Sequence, residues 1–383
     1  MRLTGIEVVR VDVAFRQEIG TAVGTHRVRP LLFVRVVGES SEGWGECAAL
    51  ADATAVDPPL AEVERAVVER GVGRLEEASA SRDGDLPSAA EVAQLFGGSA
   101  VDRQLAAALE MAVTDLELRA DGRSLAQALE AGPGFEALPV GAAVGIPSDR
   151  DLTALRGAVR GALDRGVTRL RLKIAPGWDV EPVAAVRSED AAVVLQVDAN
   201  GSYGPGDAAH LDRLSEYGVL CIEQPLPAAD LVAHAQLAAR MTLPICLDES
   251  LSSVHRVRDA LRYGSCAMAC LKPARLGGLR AARSAHAACA RAGVPVFVGG
   301  FFEAGLARAC NLALAARFST EVAGLVGDPD DPAQYLEVDP GGYPAVVAGW
   351  VRVPGQPGVG NPPDQGVLEE LHAHRRWFPS TYT

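Results

Sequence analysis

Apolar residues in this chain recur in two different rhythms. In LTGIEVVRVDVAF (3–15) and PLLFVRVV (30–37) they alternate with polar ones, the period of strands with one face covered. Helical spacing follows around 59–78 and 100–129, so the opening stretch, taken as residues 1–128, reads as an α+β unit able to cap a larger domain. Gly132-Pro133-Gly134 is the expected joint.

The rhythm then changes. Apolar runs stand at PVGAAVG (139–145), RLRLKI (169–174), VVLQVDA (193–199), VLCIEQP (219–225), PICLDES (244–250), MACLKP (268–273) and VPVFVGG (294–300). Between them lie segments with helical spacing, such as DLTALRGAVRGALDRG and LVAHAQLAARM, with Gly166, Gly218 and Gly293 where helices should stop. Strands alternating with helices predict right-handed βαβ units and a parallel sheet. Seven such units with short links predict a closed (β/α) barrel over 129–330, with its active site at the C-terminal strand ends. A doubly wound sheet is the alternative, but no G-x-G-x-x-G follows a first strand. Residues 331–383 turn rich in Pro, Gly and Asp, end in VLEELHAHRRWF, and are expected to return to the cap.

Composition narrows the function. Of 383 residues, 48% are hydrophobic and 22% charged, enough to bury a large core without staples. A formal charge of −13 offers no basic stripe for nucleic acid. No apolar stretch reaches the ~18 residues of a membrane helix, and the N-terminus lacks a signal-peptide pattern. The seven cysteines include no Cys-x-x-Cys pair, which predicts free thiols and a cytoplasmic setting.

The candidate chemistry stands at the strand ends. Lys173, Asp198, Glu223, Asp248 and Lys272 close five successive runs at spacings of 25, 25, 25 and 24 residues. Three acids between two lysines on one rim are costly to desolvate unless a cation joins them. Oxygen donors without His or Cys predict Mg²⁺, with Mn²⁺ also suited, rather than Zn²⁺. A plain network of salt bridges is the competing reading. One layer deeper stand Arg171, Gln196, Cys221, Cys246 and Cys270; the thiols read as barrel filler. Arg171 either lowers the pKa of Lys173 by its charge or pairs with a neighbouring carboxylate.

Lys173, Asp198-Ala-Asn200, Glu223-Gln-Pro225, Asp248-Glu-Ser250 and Lys272-Pro-Ala-Arg275 together resemble the enolase superfamily, muconate-lactonising subgroup. ALEMAVTDLELRADGRSL (108–125), GWGECAAL (43–50) and GGFFEAGLARACNLALA (299–315) are similar to its cap helix, cap strand and seventh-strand region. RLKIAPGWDVEPV, LQVDAN and PICLDES are most similar to the o-succinylbenzoate synthase and N-acylamino acid racemase branch. Two departures stand out: Arg171-Leu172-Lys173 replaces the usual Lys-x-Lys, and DPDDPAQYLE (328–337) replaces a Ser-x-Arg-Tyr-like stretch after the eighth strand.

The resemblance implies a modified (β/α)8 barrel of the (β/α)7β type under an α+β cap, and proton abstraction next to a carboxylate. Asp198, Glu223 and Asp248 would ligate the metal, which spreads the charge of the resulting enediolate. Lys173 would take the proton, while Lys272 stabilises charge or acts as a second acid–base. Arg275 reads as a tuning cation or a solvated rim arginine, Asn200 and Glu303 as lining residues. EIGTAVGTHRVR (18–29), hinged at Gly20 and Gly24, and CAALADATAV (47–56) are the expected lid loops, suited to a partly apolar small carboxylate. A lyase, the synthase step of menaquinone biosynthesis, leads. An isomerase (N-acylamino acid racemase, dipeptide epimerase or muconate cycloisomerase) and a non-catalytic carboxylate binder are the alternatives. A homo-oligomer without nucleic-acid or membrane partners is expected.

Overall fold

A computed structural model describes residues 1–21, 24–129, 135–318 and 330–381. The chain opens with antiparallel strands β1 (Leu3–Thr21), β2 (Gly24–Gly38) and β3 (Glu42–Cys47). Their alternation sorts side chains to two faces. Ile6, Val8, Leu32 and Val34 pack with Leu105, Leu109 and Leu116 of helix Ala100–Ala120, whereas Val9, Val11, Val13 and Phe33 join the core of the second domain. The helix lies so close to β3 that a Cβ on Gly45 would sit 2.0 Å from the Ala108 carbonyl oxygen. This is why small residues flank Trp44.

The second domain carries β4 (Ala137–Pro139), then seven parallel strands: β5 (Gly141–Val144), β6 (Arg169–Lys173), β7 (Val194–Asp198), β8 (Ile222–Glu223), β9 (Ile245–Leu247), β10 (Met268–Leu271) and β11 (Val296–Val298). They pair in chain order, as the seven apolar runs predict. β9, β10 and β11 are buried at every position, as parallel strands covered on both faces should be. Helices such as Leu152–Asp164, Val180–Glu189, Val254–Tyr263 and Leu279–Ala292 connect them. Gly218 and Gly293 close their helices in the left-handed region, and Gly166 at φ 84° follows Leu152–Asp164.

β12 (Val346–Val347) and β13 (Trp350–Arg352) form a small sheet with β4, and β14 (His374–Pro379) pairs antiparallel with β1. Asp115 of the long cap helix accepts hydrogen bonds from the backbone N–H of Trp44 at 2.9 Å and of Val359 at 2.7 Å. One buried carboxylate thus ties the cap sheet to the C-terminal segment.

One expectation needs correcting. Residues 18–29 are not a hinged loop: residues 18–21 belong to β1 and 24–29 to β2, with Gly20 opposite Thr25 and Gly24 opposite Thr21. Short, Gly- and Thr-rich stretches read as loops locally, but the pairing of two long strands carries them on as a hairpin. The tip of that hairpin, the joint at Gly132–Gly134, the expected eighth strand and residues 328–329 lie outside the described residues.

Candidate active site

Register sets the rim. Lys173 lies opposite Asp198, and Asp198 opposite Glu223. Glu223 is paired with Cys246, so Asp248 stands two residues farther along, and Cys246 is paired in turn with Met268. Such stagger is what closing a barrel imposes. It corrects the single deeper layer read from sequence. It also brings a ligand atom of Cys270 within 4.8 Å of Glu223 and Asp248. Burial raises the Cys270 thiol well above its usual range, so it stays protonated and apolar.

Each rim carboxylate has a cationic neighbour. Lys173 Nζ donates to Asp198 Oδ2 at 2.6 Å and to Asn200 Oδ1 at 2.7 Å. Lys272 Nζ donates to Asp248 Oδ2 at 2.9 Å and lies 4.7 Å from the centre of the Phe301 ring. Arg171 Nη1 stands 3.4 Å from Glu223 Oε1, so it takes the carboxylate-pairing alternative. Arg275 is no solvated rim residue: it is 3% exposed and clamped between Asp248, 2.5 Å from Oδ1, and Asp57 of the cap, 2.7 Å from Oδ2.

Positive charge does not cancel the crowding everywhere. Burial, then the Asp198 charge, push Glu223 up to about 8, with Asp248 adding to the rise. Burial also opposes ionisation of Asp248, yet Arg275 and Lys272 hold it well below the usual carboxylate range. Burial disfavours charge on Lys272 as well, and Asp248 overrides it, holding that ammonium above the ordinary lysine value. The donor set fits a divalent cation: buried carboxylates from adjacent strands, two of them with oxygens within 4.8 Å, and one destabilised by its neighbours' charge.

Two amide side chains that sequence reasoning left without a role shape the rim. Gln196 donates to Glu223 Oε2 and accepts from Arg169 Nη1 at 2.8 Å. Gln224 accepts from the backbone N–H of Asp248 and of Ser250, each at 3.1 Å, and donates to Ser250 Oγ at 2.8 Å. It thereby fixes the turn after β9 to the end of β8. Its position inside Glu223-Gln-Pro225 was the available signal. For Asp57 there was none, since its partner Arg275 is 218 residues away. Glu303 has one oxygen 2.9 Å from Arg308 Nη2 and the other accepting from Asn311 Nδ2 at 3.1 Å. These contacts engage it with the helix Gly305–Phe318.

The two expected lids meet through His26, whose Nδ1 is 3.5 Å from Asp52 Oδ2. Arg29, read as a lid residue, is buried: its guanidinium donates to the carbonyls of Ala48, Ala49 and Phe302 and so pins the second lid to the barrel. No described helix is long and apolar enough to cross a membrane.

A capped barrel with acids and lysines at the C-terminal ends of its strands belongs to a recognisable class of enzymes. Residues 154–367 match the family described as enolase C-terminal domain-like. The chain is 40% identical to an N-succinylamino acid racemase from Amycolatopsis sp over 99% of its own length and 100% of the relative. It is 36% identical to an o-succinylbenzoate synthase from Geobacillus kaustophilus, over 95% of this chain and 94% of that one. A crystal structure of an enolase superfamily member from Listeria innocua superposes with a TM-score of 0.88 at 29% identity, covering 100% of both chains. The chain belongs to the enolase superfamily, and its fold is that superfamily's capped (β/α)7β barrel. Enzymes of this superfamily use a divalent metal ion, and the relatives of this chain act on small carboxylates.

Proposed function

We propose that this enzyme removes a proton next to a substrate carboxylate, with o-succinylbenzoate synthase as the leading activity: dehydration of 2-succinyl-6-hydroxy-2,4-cyclohexadiene-1-carboxylate. The observation that carries it is the row Lys173–Asp198–Glu223–Asp248–Lys272, with a lysine at each end. Asp198, Glu223 and Asp248 would hold the metal, Mg²⁺ by the hardness of its donors. When bound, it supplies electrostatic stabilisation of charge developing on the substrate carboxylate.

Lys173, deprotonated, takes the α-proton onto Nζ and returns it to the departing hydroxyl, so one residue serves both halves of a dehydration on one face. Lys272 keeps its charge and faces the developing negative charge. Arg275 and Gln224 hold Asp248 in place for it. Arg171 and Gln196 do the same for Glu223.

The same geometry favours a second reading, N-succinylamino acid racemase, the name of a relative that matches over the whole chain. A racemase needs an acid–base group on each face, and the row ends in two. Both substrates would present a carboxylate and a succinyl arm, so one site can serve both.

The test is turnover of each substrate with Mg²⁺, followed by absorbance for dehydration and by loss of optical rotation for racemisation. Lys173→Ala should lower both by about 10³-fold or more. Dehydration that survives Lys173→Ala would sink the role given to Lys173. Racemisation without dehydration would leave the isomerase reading alone.

A further inference from the structure

Asp198 and Asn200 are the two acceptors that hold the Lys173 ammonium, at 2.6 and 2.7 Å. On the reading above, Asp198 is claimed by the metal, which leaves the Asn200 amide oxygen as the steadier anchor. An amide has two ends of opposite polarity, and only its oxygen can accept from an ammonium. What decides which end faces Lys173 lies on the other side of Asn200. Its Nδ2 donates to Glu249 Oε1 at 2.9 Å, and a carboxylate can only accept. The backbone of Asn200 is also constrained, with φ +43° and its N–H donating to Asp198 Oδ1 at 3.0 Å. Glu249 Oε2 is buried and accepts no hydrogen bond among the described residues, so none of these commits the carboxylate elsewhere through that oxygen.

We infer that Glu249 is a positioning residue for proton transfer on the Lys173 face: by accepting from Asn200 Nδ2 it locks the amide oxygen toward Lys173 Nζ. Glu249 touches neither Lys173 nor Lys272 by a hydrogen bond among the described residues. Its hydrogen bonding therefore reaches the Lys173 face alone, while its charge also helps to keep Lys272 protonated. A glutamine in its place can donate as well as accept, so the Asn200 amide is free to turn its NH₂ toward the lysine and release it.

This rests on the proposed assignment of Lys173 as a base, and the experiment separates the two. Glu249→Gln and wild type, each with Mg²⁺, are given either enantiomer of N-succinylphenylalanine in D₂O, and α-proton washout is followed by NMR. Lys173→Ala identifies which enantiomer presents its proton to that face. Glu249→Gln should slow washout of that enantiomer by about 10²-fold in kcat with KM little changed, and of the other, which feels only the lost charge, by less than about tenfold. Equal loss for both would overturn the inference.

A second measurement needs no substrate turnover. Reductive methylation of the same two proteins, read at each lysine by mass spectrometry, should label Lys173 several-fold faster in Glu249→Gln and speed the labelling of Lys272, which loses only a more distant charge, by clearly less. Unchanged Lys173 labelling overturns the inference even if no exchange is catalysed. Faster labelling without any catalysed exchange would uphold Glu249 and discard the assigned reaction.

Discussion

Lys173 and Lys272 end the same row of carboxylates but live in different surroundings. Lys173 is 31% exposed and held by two barrel residues at the end of one strand, Asp198 and Asn200. Lys272 is 11% exposed, paired with a carboxylate that Arg275 also grips, and covered by the Phe301 ring. Through Arg275 its surroundings reach Asp57, so the Lys272 side is built by both domains, whereas among the described residues the hydrogen bonds of Lys173 all go to the barrel. A lysine that must gain and lose a proton is served by access to solvent and substrate, which the more exposed Lys173 has. A lysine that must stay charged is served by a carboxylate and a π-face. The contrast suits a dehydratase with one base and one standing charge, and it asks more of the enzyme as a racemase.

Lys272→Arg should widen that contrast most. It keeps the positive charge opposite Asp248 but cannot act as a base near neutrality. Dehydration is expected to stay within about tenfold of wild type, while racemisation falls by about 10²–10⁴-fold. Parallel assays on the two substrates read it directly. Equal losses in both would mean that the two lysines do the same work.

Asp57→Asn tests whether the Lys272 side depends on the cap. It leaves the buried Arg275 guanidinium with one carboxylate instead of two. Losing one member of a buried charged cluster should cost roughly 3 kcal/mol in urea unfolding. Asn200→Ala, on the exposed Lys173 side, should cost less than about 1 kcal/mol. Similar losses at the two positions would erase the distinction between a two-domain side and a one-domain side.

The sequence is read with very different success along this contrast. The barrel was legible because each strand is a short apolar run and several of the helices between them stop at a glycine, signals that survive in one dimension. The rim was legible for the same reason: Lys173, Asp198, Glu223, Asp248 and Lys272 sit at the ends of those runs. The stagger that lifts Asp248 two residues above Cys246 was not, because register is set by barrel closure and not by any local pattern. Nor was the hairpin over 18–29, whose pairing depends on two long strands continuing together. The Arg275–Asp57 contact joins residues 218 positions apart and left no trace in spacing.

The seam between cap and barrel has a second buried carboxylate, and it predicts a pH dependence. Glu46 on β3 accepts from the backbone N–H of Ala304 at 2.7 Å and of Ala307 at 3.0 Å, at the start of helix Gly305–Phe318. Burial pushes it up to about 8 from an ordinary 4.5, against the pull of those two hydrogen bonds. Folded Glu46 thus keeps its proton across a range where the unfolded chain has released it, and stability falls as pH rises from about 4.5 through about 8. Glu46→Gln removes this contribution. Its stability should decline less than that of wild type between pH 5 and 9, by a difference on the order of 1–4 kcal/mol. Urea midpoints at several pH values measure it, and identical slopes would exclude a neutral, buried Glu46.

The smallest expected effect on activity concerns the ring beside Lys272. Phe301 lies 4.7 Å from Lys272 Nζ and 5.0 Å from the Arg275 guanidinium, so one ring serves both cations of the Lys272 side. Phe301→Leu keeps much of the buried apolar volume and removes the quadrupole, which should cost about 1–2 kcal/mol of stability. If the ring helps to keep Lys272 charged, the variant should also let that lysine exchange protons more readily. Racemisation relative to dehydration would then rise by about two- to fivefold, a change of less than about 1 kcal/mol in barrier. A ratio that does not move would assign the standing charge of Lys272 to Asp248 alone and leave Phe301 as packing.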